Sequence, residues 1–418
     1  MANNLLTISK ITNEALMVLE NELTFAEGVT KEYDDQFAVA GGKIGNTVNV
    51  RKPGRFIGTT GPALAVEDFI EPSVPVTLNT QFHVDCQFTT QDLALSIDMF
   101  SDRIIKPAVA AVANKIDRDG MVMAKNSTAN IVGVAGSPPS GLITYLTAGA
   151  YLDAEGTPRD GKRSVVIEPF TSSVIVDSLK GIFIPQNTIE KQFKRGLMGQ
   201  DSAGMNWKMD QNVVSQTFGA WATTAGTLTA NTSVNAGFVT TGWAPTSTIT
   251  LTNSQTLNLQ QGDTFTIAGV YAVNPQNRQS YGKLRNFVVT AAAGGSAGTF
   301  SVSVSPAIIT AGQFQNVTIT TASATTAVTL FSVATGTSNA ITSPQNILFH
   351  RNAFTLASAD LELPEGVHFA GRASDKSAGL SIRVVRQYTI NNDAIPTRFD
   401  VLYGWAPLYP EMSCRIAA

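Results

Sequence analysis

The side chains able to carry chemistry are few in this 418-residue chain, and their spacing limits what they can do. Three histidines are present, His83, His350 and His368, and no Gly-x-Ser-x-Gly elbow accompanies them. His83 and Cys86 are both metal-ligating types. An offset of three along a strand sends them to opposite faces, however, and no second pair completes a tetrahedron. The segment from Gly156 through Gly161, Lys162 and Arg163 comes close to a phosphate-binding loop. Such a loop needs a strand before it, a helix after it, and a hydroxyl following the lysine to hold magnesium. Here a predicted helix over 142–155 precedes, a predicted strand over 163–169 follows, and Arg163 takes the hydroxyl's place, so the order predicts a plain turn. Asp117, Arg118, Asp119 and Gly120 open like a calcium loop, but the third ligand and the closing glutamate are missing and the segment reads as helix. Asp98 and Asp102, four apart on a predicted helix, read as a solvated face. No catalytic, cofactor-binding or metal-binding set emerges, and an enzyme is not expected.

The elements around these residues give a clearer signal. Apolar positions Ile8, Ile11, Ala15, Val18 and Leu19 predict an amphipathic helix over 5–27 stopped by Gly28. Residues 46–57 and 73–90 alternate in polarity around a Gly/Pro-rich tip, which predicts a long two-armed β excursion. A hairpin that long is not stable alone, so it must lie on its own body or on a neighbour. Pro107 suits a first helical turn, and Ile105, Val109, Val112, Ile116 and Met123 repeat at helical spacing to about Lys125, with Gly120 weakening the pattern. Asn187 and Glu190 predict a further helix start, with Ile189, Phe193 and Leu197 on one side. Two strands are predicted over 380–390 and 397–405.

Charge marks the main boundary. Among 29 basic and 32 acidic residues, only Asp263, Arg278, Lys283 and Arg285 fall between 211 and 350. That stretch is rich in Thr, Ser, Ala, Gly and Asn and alternates in runs such as Thr264–Ile267 and Thr299–Val304, which predicts antiparallel strands with one buried face. Its aromatic and β-branched content predicts a folded domain over about 218–340, with both ends close together as an insertion requires.

Composition narrows the class. Charged residues are only 15% of the chain and the net charge is −3, so nothing in the balance draws it to nucleic acid or an anionic membrane. The first forty residues carry seven carboxylates against Lys10 and Lys31, read here as a solvated helix face. Cys86 and Cys414, far apart in sequence, exclude a disulfide scaffold and fit a reducing cytoplasm. No apolar run approaches the ~20 residues that span a bilayer, and the first residues lack a secretory pattern. The Thr/Ser/Gly-rich stretch also suits an extracellular adhesin or tail-fibre-like β protein, although such a protein is β-rich throughout and residues 90–200 read as mainly helical.

The order of elements resembles the major capsid proteins of tailed bacteriophages, and most closely the coat protein family of short-tailed Salmonella and Shigella phages. The likeness is carried by Gln261–Val270, by Asn346–His350 with the following Leu356–Gly366, by Gly379–Val384 with Arg398–Leu402, and by the Ile104–Ile116 segment. The resemblance implies an α+β, HK97-like fold. Its parts would be an N-terminal arm over 1–40, an extended hairpin loop over 41–90 lying on a neighbouring subunit, and a spine helix of the peripheral domain over 91–130. The axial and peripheral body would take 131–217 and 341–418, around an inserted all-β barrel-like domain over 218–340. It further implies a structural subunit of the virion, made in the host cytoplasm. Copies would assemble as hexamers and pentamers of an icosahedral shell, with a scaffolding protein during assembly and a portal protein at one vertex. The shell would enclose double-stranded DNA without sequence-specific contact, and no cofactor or membrane is implied.

Overall fold

The computed structural model describes residues 8–34, 47–64, 66, 68–89, 105–178, 203–218, 228–232, 238–240, 242–254, 257–295, 298–320, 325–331, 341–375, 379–391 and 394–418. The fold is mixed α+β, with sheets predominating and few helices. The chain divides into two compact units, one of Met1–Val50, Val74–Gly120 and Phe354–Ala406, the other of Arg51–Ser73, Met121–Ala353 and Pro407–Ala418.

In the first unit, helix α1 (Ile8–Glu22) lies against two strands of an antiparallel ribbon, β20 (Phe369–Asp375) and β21 (Leu380–Arg386). It buries Ala15, Val18 and Leu19, as the spacing predicts, and Leu16 as well. It stops at Glu22, short of the predicted end at 27. The next amides are captured elsewhere: Asp117 accepts N–H groups from Thr24 (2.7 Å), Phe25 (3.2 Å) and Ala26 (3.0 Å). A charged acceptor competes well against the helix's own carbonyls. The chain continues as β1 (Thr30–Asp34), which pairs in parallel with β19 (Phe354–Ala359). The sheet runs β1-β19-β22-β21-β20, centred on the 14-residue β22 (Ala394–Pro407).

The β excursion is shorter than the alternation predicts. Strand β2 (Thr47–Arg51) pairs only with β3 (Ser73–Thr77), whereas β4 (Thr80–Thr89) leaves it and aligns with β22 from Ala394↔Thr89 to Tyr403↔Thr80. Pro53 and Gly54 follow the end of β2, and Gly404 lets the Thr77 carbonyl approach where a Cβ would stand 2.2 Å away.

Helix α2 (Lys106–Ser127) starts and ends close to its sequence signals and buries Val109, Val112 and Ile116, with Ile105 buried just before it. Gly120 is a close-approach position: a Cβ there would lie 2.7 Å from Trp405 and 2.8 Å from Phe25. Phe25 in turn packs on Trp405 and Phe354 with ring centroids 5.5 and 6.0 Å away.

In the second unit, one sheet has the order β5-β23-β18-β6-β7, built from β5 (Ile131–Gly133), β6 (Arg163–Ile167), β7 (Asn206–Met209), β18 (Ile341–His350) and β23 (Ser413–Ala417). Strand β8 (Ser215–Phe218) also pairs with β18, Phe218 standing opposite Ile341. Helix α3 (Leu142–Ala154) covers this sheet through Tyr145, Ala148 and Leu152, and α4 (Pro169–Ser178) follows β6. The charge-poor stretch supplies β9 (Leu228–Ala230), β10 (Ser247–Asn253), β12 (Thr264–Val273), β13 (Ser280–Val289), β15 (Gly298–Ser305) and β17 (Thr326–Leu330). Their pairings run β12-β13-β15-β10-β9-β17 and return to β12, so the strands close on themselves. Strand β16 (Val317–Ile319) joins β12, and β11 (Leu257–Leu259) pairs with β14 (Ala293–Gly295). Ile249, Leu251, Phe265, Ile267, Phe287, Val302 and Val304 fill the interior, and β10 alternates buried and exposed along its length.

Candidate assembly surface

The residues singled out for chemistry are placed apart or tied to structural partners. His83 and Cys86 point to opposite sides of β4, and His83 Nδ1 lies 2.8 Å from Asp85. His350 is buried beside Asp160 at 3.1 Å, and His368 is exposed. Helix α3 precedes the Gly156–Lys162 turn and β6 follows it, as the sequence predicts. The buried Arg163 guanidinium turns back into that loop, donating to the carbonyls of Thr157 (2.6 Å) and Pro158 (3.0 Å) and to Asp153 (2.8 Å). A phosphate cradle presents amide hydrogens; this turn presents carbonyl oxygens to a cation of its own. Arg159 also binds Asp153, and its hydrogen bonds hold that carboxyl below the usual aspartate range. The cleft beside them, about 250 Å³, is lined by Leu146, Gly149 and Met205 as well as these ions. Asp117 and Asp119 lie inside α2: Asp117 receives the amides after α1, and Asp119 binds Lys115 (2.6 Å) and the Tyr403 hydroxyl (2.8 Å). Among the described residues no group of three or more His, Cys, Asp or Glu is arranged to hold a metal. Asp98, Asp102 and the helix start at Asn187 lie outside the described residues.

One buried ion pair and one buried hydrogen-bond network tie the closed strands to the sheet and its covering helix, and neither shows in any motif. Glu155, at the end of α3, pairs with Arg285 of β13 and accepts the Tyr281 hydroxyl at 3.3 Å. Both charged side chains are 4% exposed, and burial pushes the Glu155 carboxyl up. On the other side, Arg415 of β23 donates to the Gly262 carbonyl at 2.8 Å, and Gln216 of β8 bridges Asp263 (2.9 Å) and Lys125 (2.6 Å). Burial lowers Arg415 to about 10. The low charge density of this stretch was the available signal: three of its four charged residues, Asp263, Arg278 and Arg285, have named partners.

The surface best suited to contact another protein is the excursion between β2 and β3. Its arms are folded together, with Phe56 stacked on Phe69 at 5.7 Å and the Phe69 ring filling the space a Gly54 side chain would need. Lys52 is buried with its ammonium 4.5 Å from the Tyr409 ring and 5.1 Å from Trp243. Arg55 lies over Phe314, Ile70 joins an apolar cluster with Ile309 and Phe314, and Gln313 donates to the Asp68 carbonyl at 2.8 Å. Within the chain the arms thus rest on its own turns, at Trp243, Gln313, Phe314 and Tyr409. The tip differs: Leu64 is 90% and Val66 84% exposed, with Phe56 and Phe69 also exposed beside them. A cluster of bare apolar side chains on one excursion marks a contact surface, whereas single exposed ones do not. Ile143 and Phe170, at the starts of α3 and α4, are likewise exposed.

No helix among the described residues is long and apolar enough to cross a membrane. A comparison with curated proteins finds no match. Among solved structures the chain is similar to the capsid of Ralstonia phage GP4, at 8% identity over 94% of this chain and 88% of that one, with a TM-score of 0.46. It is similar to the mature capsid of bacteriophage PhiM1, at 9% identity over 94% and 86%, TM-score 0.45. A virus-like particle from Pyrococcus furiosus matches at 6% identity over 99% and 100%, TM-score 0.40. The comparison that decides the family is with sequence models: residues 1–415 match the model described as P22 coat protein, gene protein 5, and the chain belongs to that family of phage coat proteins.

Proposed function

We propose that this coat protein is the shell subunit of a tailed-phage head, assembling as hexamers and pentamers of an icosahedral capsid around double-stranded DNA. Membership of the coat protein family over residues 1–415 carries this reading. The work of such a subunit is contact, not catalysis, and it must bury large areas against several copies of itself. The exposed apolar tip at Leu64 and Val66 supports that role, as does the low density of charge, which gives packaged DNA few cations to bind.

In this reading residues 1–40 act as an arm and 41–90 as the extended loop reaching a neighbour. Residues 91–130 carry the spine helix, 131–217 and 341–418 the peripheral and axial body, and 218–340 the inserted β-barrel-like domain. The closed pairing of β12, β13, β15, β10, β9 and β17 and the opposition of Phe218 and Ile341 support the last assignment. A scaffolding protein directs assembly in the host cytoplasm, a portal protein takes one vertex, and the mature subunit resides in the virion. The test is co-expression with the scaffolding protein followed by electron microscopy. Closed shells are expected; monomers under every assembly condition would remove the reading.

A further inference from the structure

The excursion meets its own chain through groups that are expensive to place. Lys52 is buried with its ammonium over two aromatic rings, a cation–ring contact that strengthens where water is excluded. Arg278 closes the turn between β12 and β13 with its amide donating to the Asn274 carbonyl at 2.9 Å, at a φ of +56°. That region favours glycine or asparagine, and an arginine there is strained. Its guanidinium reaches the Phe56 carbonyl at 3.0 Å, in the first arm of the excursion. Strain held at a residue whose side chain grips a distant segment points to a purpose for the grip. The tip contrasts with the arms: a side chain built at Gly58 or Gly61 would meet nothing within 4 Å.

We propose that Lys52 and Arg278 form a latch seating the first arm of the 51–73 excursion, and through the Phe56–Phe69 stack the second, on the chain's own turns, so that the tip around Leu64 and Val66 is aimed at a second copy before that copy arrives. A loose excursion of this length would have to be ordered at each encounter, and a seated one has met that entropy cost during folding. The occupant follows from chemistry: no charge occurs from Phe56 to Val66, and bare Leu64 and Val66 suit an apolar protein surface rather than nucleic acid or lipid headgroups. The tip's destination rests on the capsid reading; the latch itself does not.

The test uses the full-length chain. Arg278→Gly deletes the bond to Phe56 while giving the turn the residue its φ favours. Lys52→Met keeps the stem and removes the ammonium. Trypsin cleavage after Arg55 and hydrogen exchange over 51–57 should each accelerate about tenfold, equivalent to about 1.4 kcal/mol, with the thermal midpoint of the closed strands held. Both variants should then need a several-fold higher concentration to form shells with the scaffolding protein. Unchanged cleavage and exchange in both would overturn the latch whatever happens in assembly, and faster cleavage with unchanged shell formation would overturn the aiming. Leu64→Asp with Val66→Asp should abolish shells while leaving exchange over 51–57 protected; normal shells would refute the tip's destination. If the wild-type chain makes no shells, the capsid reading falls, and cleavage and exchange still decide the latch.

Discussion

The carboxylate of Asp117 accepts the amide hydrogen of Thr24 at 2.7 Å, joining the middle of α2 to the chain just after α1 across 93 residues of sequence. The same buried carboxylate takes the next two amides, so one side chain terminates a helix and fixes the exit of the N-terminal segment. Asp117→Ala leaves those donors facing a gap and should cost about 2–4 kcal/mol. Urea unfolding followed by tryptophan fluorescence checks this through Trp405, and a loss below about 0.5 kcal/mol would show that water replaces the carboxylate.

Gly120→Ala tests packing against propensity. In an exposed helix the change would stabilise by about 1 kcal/mol. Here the new methyl meets Phe25 and Trp405 below 3 Å, so the expected result is a destabilisation of about 1–3 kcal/mol, read by the same titration.

Glu155 and Arg285 should be strongly non-additive. Glu155→Gln leaves the arginine charge buried without its counter-ion and should cost about 3–5 kcal/mol. Glu155→Leu combined with Arg285→Met removes both charges and should cost much less than the sum of the single changes. A double-mutant cycle by chemical denaturation decides; additive single costs would show that the pair is not coupled.

Local periodicity made much of the fold legible. Helix α2, strand β10 and the turn before Arg163 follow from patterns a few residues long, because burial imposes period 3.6 or 2 directly on the chain. What stayed hidden depends on pairings of high sequence separation. Nothing near Lys52 announces Trp243 or Tyr409, and nothing in β4 says that its partner is β22 rather than β2. Asp117 was visible only as a failed calcium ligand, since its real partners are backbone amides, which carry no residue-specific signal. The contact surface was legible as an excursion needing support, but whether that support came from its own chain was not.

The opposition of Phe218 and Ile341 has a mechanical consequence. Strand β8 is hydrogen-bonded to the start of β18, and β18 runs on into the sheet beside β6 and β23. A pull along that sheet passes directly from one strand to the other across their ladder and bypasses the closed strands in between. The ring hangs from the load path like a pendant from a clasped chain. Load on the sheet would reach the ring chiefly through its side-chain links, Glu155 to Arg285 and Arg415 to Gly262.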